Sequence, residues 1–274
     1  MSVEETLRSQ MGGVRRQGQG GSAQPAVSSL ALGALGVAMA YFGSALGPVS
    51  LNILEVLGPA FFWVALLYFV LRFPLRSAAS EFAGAVKTSL GAGAFAAYLA
   101  VHLLLYGFIL DAILASIYGV STFATDAGFL LTTNVYLPSS FISTAFDISY
   151  NPVVLMNVPP VFSAALSFYS IAVALVIGVL VVANIGKTRE LGRLRTTGER
   201  AKNLFVLPAI GVVLGASCCI SVAGIVELAA PSSILTSSDW IYYVTYFLFP
   251  VVAVVLLYLN LRSAERISLG ARAS

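Results

Sequence analysis

Residues 161–202 read VFSAALSFYSIAVALVIGVLVVANIGKTRELGRLRTTGERAK, and this stretch decides the class of the chain. Positions 161–185 hold no charged residue, while Lys187, Arg189, Arg193, Arg195, Arg200 and Lys202 crowd into the positions that follow. A helix needs about 20 apolar residues to cross a hydrocarbon layer roughly 30 Å thick, and a cluster of Lys and Arg just beyond such a run marks the cytoplasmic side. The segment therefore reads as a membrane span that ends inside the cell.

Working outward, five more stretches of this kind appear: about Ser29–Leu51, Ile53–Phe73, Thr88–Leu110, Leu204–Leu228 and Trp240–Leu261, with Val161–Ile185 as the fourth in order. Composition agrees, since 58% of the 274 residues are hydrophobic and only 10% are charged. Soluble proteins carry roughly 25% charged residues, so this chain lacks the ions to coat a water-facing surface. Six spans with both ends inside put all 15 Lys and Arg residues on one side, an arrangement that five or seven spans would scatter. The expected fold is all-α: a polytopic membrane protein of six transmembrane helices arranged as three hairpins, N-in/C-in.

The domains follow. Residues 1–27 form a polar cytoplasmic tail, 28–267 the six-helix transmembrane domain, and 268–274 a C-terminal tail. The expected location is the cell membrane, multi-pass. The basic inner face favours anionic lipid headgroups, and no nucleic-acid partner is expected. A single long outer connection, 119–160, carries Asp126 and Asp147, no Lys or Arg, and the aromatics Phe123, Phe129, Tyr136, Phe141, Phe146 and Tyr150. It reads either as a cap on the outer membrane surface or as a substrate lid or docking surface.

Three acids recur in like surroundings: Ile53-Leu54-Glu55-Val56-Leu57, Ile109-Leu110-Asp111-Ala112-Ile113 and Ile225-Val226-Glu227-Leu228-Ala229. Pro59 and Pro231 each follow an acid by four positions. The pattern suits three repeated hairpins with Glu55, Asp111 and Glu227 near the outer interface, although aliphatic spans also match one another by chance. Mitochondrial carriers, a three-hairpin family, have a proline-acid-basic motif that this chain lacks.

One histidine, His102, excludes bis-His haem ligation, copper oxidase centres, His zinc sites and di-iron clusters. No phosphate-cradling loop is present, and no cofactor is expected. Gly215-Ala216-Ser217, with His102 as base, lacks the glycine that an intramembrane serine protease has after its serine. His102 sits mid-span, either as an imidazole bonded to a neighbouring helix carbonyl or as a ligand or proton site. Cys218 and Cys219 lie in Leu214-Gly215-Ala216-Ser217-Cys218-Cys219-Ile220-Ser221, where they either pack as small apolar residues or hold a soft ion. This string resembles the vicinal-cysteine segment in the first helix of mercuric-ion transport proteins, without the proline that commonly follows. The resemblance spans Leu214–Ser221 alone and implies a metal role for Cys218 and Cys219, with His102 as a further donor.

The glycine pairs Gly43 with Gly47 and Gly91 with Gly93 read as helix-packing sites, and Pro250 as a kink in the last span. Two functions fit these features. One is transport or permeation of a cation or soft metal ion, with the outer acids gathering it. The other is a non-catalytic subunit of a larger membrane complex, such as a respiratory or transporter assembly. The expected partners are the bilayer and either further copies of the chain or other membrane subunits.

Overall fold

The computed structural model describes residues 23–45, 52–102, 128–133, 141–158, 162–193 and 247–273. Seven helices and three strands occupy them: α1 (Ala23–Ala45), α2 (Ile53–Arg72), α3 (Arg76–Ala85), α4 (Ser89–Ala100), β1 (Gly128–Thr132), α5 (Phe141–Tyr150), β2 (Val153–Val158), β3 (Phe162–Ser167), α6 (Phe168–Arg193) and α7 (Phe249–Ala273). Three helical stretches, Gln24–Ser44, Ile53–Arg72 and Phe168–Leu191, are long and apolar enough to cross a membrane, and Ser89–Ala100 is a shorter apolar helix.

α1 and α2 form an antiparallel hairpin whose seam is made of small residues. A Cβ placed on Gly36 would stand 2.6 Å from the Gly58 carbonyl oxygen, and one on Gly58 would stand 2.6 Å from the Ala40 nitrogen. Only hydrogen at these positions lets the two backbones come so close, which is how helices associate where no water is available to drive them together. Asn52 closes the hairpin. Its Oδ1 caps α2 by accepting from the Leu54 N–H at 3.0 Å, while its Nδ2 donates back to the Gly43 carbonyl at 2.8 Å.

α6 is the centre of the assembly, with 72% of its most apolar stretch buried against 22% for each hairpin helix. It begins where it does because Ser167 and Ser170 cap it reciprocally. The Ser167 hydroxyl accepts from the Ser170 N–H at 3.2 Å, and the Ser170 hydroxyl accepts from the Ser167 N–H at 2.9 Å. This is a capping box with serine at both positions. Val176, Ile177, Leu180 and Ala183 of α6 form the main core with Tyr98 of α4, Ala78 of α3, and Ala253, Leu257 and Leu261 of α7.

Contacts fix the helix directions. Trp63 of α2 meets Tyr169 of α6 near the start of that helix, and Val70 lines the same cavity as Val176 further on, so α2 and α6 run parallel. Asn184 touches Leu257 and Asn260, and Glu190 touches Ser268, so α7 also runs parallel to α6. α4 runs the other way, with Phe95 and Tyr98 against Gly178. The basic residues at the C-terminal ends of α2, α6 and α7 and around α3 thereby gather at one end of the bundle: Arg72, Arg76, Lys87, Lys187, Arg189, Arg262 and Arg266. There Lys187 bridges Glu81 of α3 and Glu190 of its own helix, each at 2.9 Å, and Ser268 of α7 donates to Glu190 at 3.0 Å.

Several expectations need correction. The chain is mostly helical but not all-α: β1, β2 and β3 form an antiparallel sheet in the order β1-β2-β3, with Leu130 opposite Leu155 and Met156 opposite Ala164. The fourth apolar stretch starts as strand β3 and turns helical only at Phe168, where the Ser167–Ser170 capping box begins α6. Residues 76–85, read as part of a connection, form helix α3, whose Ala78 is fully buried. α1 starts at Ala23, inside the segment read as a tail, and α7 runs on to Ala273, well past Leu261. Pro250, read as a kink, closely follows a π-helical turn at Phe247 and Leu248, and residues 194–246 before it lie outside the described ones. Gly43 is a close-packing site, for a Cβ there would lie 3.0 Å from that of Leu54, but Gly93 faces open space. The fifth apolar stretch, Leu204–Leu228, lies outside the described residues, as does Gly47.

Candidate functional site

The end of the bundle opposite the basic residues holds two buried acids. Glu55 stands in the first turn of α2 with no exposed surface, and Asp147 on α5 is 1% exposed. Glu55 is there because Asn52 starts the helix three residues earlier and because Gly43 leaves room: a Cβ on Gly43 would lie 3.1 Å from the Glu55 Cγ. Pro59 has no N–H to offer the Glu55 carbonyl, so the backbone here lacks its usual helical donor.

Asp147 is brought in by α5, which packs on the mouth of the α1–α2 hairpin. An aromatic cluster holds that helix in place. Trp63 Nε1 donates to the Ile148 carbonyl at 2.8 Å, and Phe247 packs against Phe146, Tyr150 and Tyr169 with ring centres 5.9, 6.2 and 5.4 Å apart. Residues 141–150 of the long connection thus fold back onto the helices, with Phe146 and Tyr150 turned into the protein, while Phe129 is left 70% exposed.

The electrostatics of the pair are unfavourable to charge. Asp147 Oδ1 accepts from the Asn151 side chain, but Oδ2 has no hydrogen-bond partner among the described residues. Neither Glu55 carboxylate oxygen has one either, and the Thr133 hydroxyl approaches Glu55 without completing a hydrogen bond. Burial, reinforced by the charge of Glu55 and opposed by the Asn151 hydrogen bond, pushes the Asp147 carboxyl up to about 7. Among the described residues no counter-cation is at hand: residues 17–71, 88–186 and 203–261 contain neither Lys nor Arg, and the described Lys and Arg side chains lie at the opposite end of the bundle.

The other expected site residues fare differently. His102 is 1% exposed, and its Nδ1 pairs with the Tyr98 hydroxyl at 2.8 Å, a phenol one turn earlier in the chain. Cys218, Cys219, Asp111 and Glu227 lie outside the described residues. Among the described residues, no group of three or more His, Cys, Asp and Glu side chains could hold a metal ion. Reading the sequence missed Asp147 as the partner of Glu55, because nothing local to α5 shows that it folds onto the hairpin. A second missed feature is Asn184, whose Nδ2 donates to the Leu180 and Leu257 carbonyls at 2.7 and 3.1 Å and whose Oδ1 accepts from Asn260 at 2.8 Å. A lone Asn in an otherwise apolar run was the available signal.

A separate cavity of about 300 Å³ lies between α2, α6 and α7, lined by Trp63, Leu67, Val70, Tyr169, Val173 and Val254 among others. No family model matches the chain, and no curated protein or solved structure matches it.

Proposed function

We propose that this chain is a six-span membrane protein, with both ends cytoplasmic, that transports or conducts a small cation through a site built on Glu55 and Asp147. The observation that carries the reading is the burial of two neighbouring carboxylates with three of their four oxygens lacking a hydrogen bond among the described residues. An ionised carboxylate taken out of water costs several kcal/mol, so a protein keeps such a pair where it serves to receive positive charge.

The helix directions support the topology. α2, α6 and α7 run parallel, so the chain between the end of α6 and the start of α7 has to return to the side from which α6 started. The apolar stretch Leu204–Leu228 is long enough to do so as a fifth span. The gathering of basic residues at one end supports a cytoplasmic assignment for that end. The all-oxygen donors of the pair favour a hard cation or a proton over the soft ion that Cys218 and Cys219 suggested.

Reconstitution into liposomes tests the function. Ion flux under an imposed gradient that falls to background in Glu55→Gln and Asp147→Asn supports it, whereas flux unchanged in both variants removes these residues from the path. A second reading, a subunit of a larger membrane complex, is favoured by the apolar cavity between α2, α6 and α7. Purification from native membranes with a stoichiometric membrane partner would favour that reading over transport by the chain alone.

A further inference from the structure

We propose that the ion bound by Glu55 and Asp147 is a proton, held between the two carboxyl groups, and that its release weakens the seat of α5 on the α1–α2 hairpin. The identity of the ion rests on the cation-transport reading; the binding of a proton by the pair does not.

No described element packed around the pair carries a compensating charge. α1 contains no charged residue, α2 contributes only Glu55 at this end, and α5 contributes only Asp147. The charged residues of α6 and α7 lie at the opposite end of the bundle, and residues 128–133 contain none. The first turn of α2 offers its N-terminal dipole to Glu55, worth at most about 2 kcal/mol in a partly buried setting. Holding two carboxylates ionised side by side out of water costs several kcal/mol for each, so the dipole cannot compensate both. One positive charge has to be present.

The donor set favours a proton over a divalent metal ion. Calcium takes 6–8 oxygen ligands and magnesium a near-ideal octahedron. Among the described residues, the oxygens of the pair and of neighbouring Thr133 that lack a hydrogen bond are the two of Glu55, Oδ2 of Asp147 and the Thr133 hydroxyl, fewer than either ion takes. A proton needs only one carboxyl oxygen to bind and a second to receive its hydrogen bond. Binding converts a carboxylate into a hydroxyl donor, and release returns two like charges to the interface between α5 and α2. The Trp63–Ile148 hydrogen bond and the Phe247 cluster must then hold α5 against that repulsion.

Infrared difference spectroscopy on the purified full-length protein tests the proton directly, independent of transport. A protonated-carboxyl band that titrates near neutral pH, vanishes in Asp147→Asn and shifts in Glu55→Gln is the expected result. Absence of any such band from about pH 5 to about pH 9 would overturn the proposal. Flux measurements in liposomes with an internal pH dye complete the test. Proton uptake driven by a membrane potential, lost in both variants, supports a proton as the transported ion. Sodium, potassium or calcium flux without proton movement overturns the proton while sparing the cation reading. A titrating band with no flux of any ion leaves the proton-binding pair standing and sinks the transport reading instead. Far-UV circular dichroism on each variant separates loss of the site from loss of the fold.

Discussion

Asn260 reaches from α7 to donate to the Asn184 side chain of α6 at 2.8 Å, deep in a core otherwise built of Leu, Val, Ile and Ala. Because Asn184 also donates to carbonyls of both helices, it is the hub of this contact and Asn260 the spoke. Asn184→Ala should therefore destabilise the protein more than Asn260→Ala. Hydrogen bonds between membrane helices average about 0.6 kcal/mol and reach about 1.7, so the coupling in a double-mutant cycle is expected in that range. Unfolding in mixed micelles measures it, and a coupling of zero would remove the pair as a helix-joining contact.

The hairpin seam should tolerate nothing larger than glycine. A Cβ on Gly58 would stand 2.6 Å from the Ala40 nitrogen and 2.8 Å from the Gly36 oxygen, both backbone atoms that cannot swing aside. Overpacking of this kind costs about 1–3 kcal/mol, so Gly58→Ala should lower the unfolding midpoint clearly. Gly93→Ala, which faces open space, is the matched control and should leave it unchanged or slightly raised.

Stability should depend on pH through Asp147. Its carboxyl is raised from 3.8 to about 7, so below the ordinary value both folded and unfolded chains hold the proton. As pH climbs between these two values the unfolded chain releases its proton first, and stability declines by at most about 1.4 kcal/mol for each pH unit. Above about 7 the curve flattens. Asp147→Asn should abolish this slope, and a thermal-melt series across the interval reads it out. An unaltered slope in that variant would assign the effect to another group.

Topology is accessible to labelling. In a background with Cys218 and Cys219 replaced, Ala145→Cys on α5 should react with an impermeant thiol reagent added outside intact cells. Lys87→Cys should react only after the membrane is opened. The reverse pattern would invert the bundle, and reaction of both from outside would refute the assignment of the basic end to the cytoplasm.

What the sequence could reveal divides along physical lines. Hydrophobic runs are long and local, so Ile53–Arg72 was found to within one residue, while the run expected at Val161–Ile185 yields Phe162–Ser167 to a strand and continues as helix six residues further, to Leu191. The placement of Lys and Arg is likewise a local record of sidedness. Pairing across the fold is a different matter. Glu55 stood out because an acid in an apolar run is conspicuous, but its companion Asp147 sits in a polar connection where an acid is ordinary. Helix α3 was hidden for a related reason: Ala78 and Ala85 seal it against α6, and alanines give no strong periodic signal. The antiparallel sheet depends on strands separated by α5, whose register no single stretch encodes.

The parallel packing of α6 and α7 has a consequence for the order in which the protein is built. Asn184 is synthesised more than 70 residues before the Leu257 carbonyl and the Asn260 amide that complete its hydrogen bonding. Until then its Oδ1 lacks the Asn260 donor, and the apolar face of α6 that receives Ala253, Leu257 and Leu261 stands uncovered. A ribosome that stalls before α7 therefore leaves a chain whose central helix carries a half-satisfied amide.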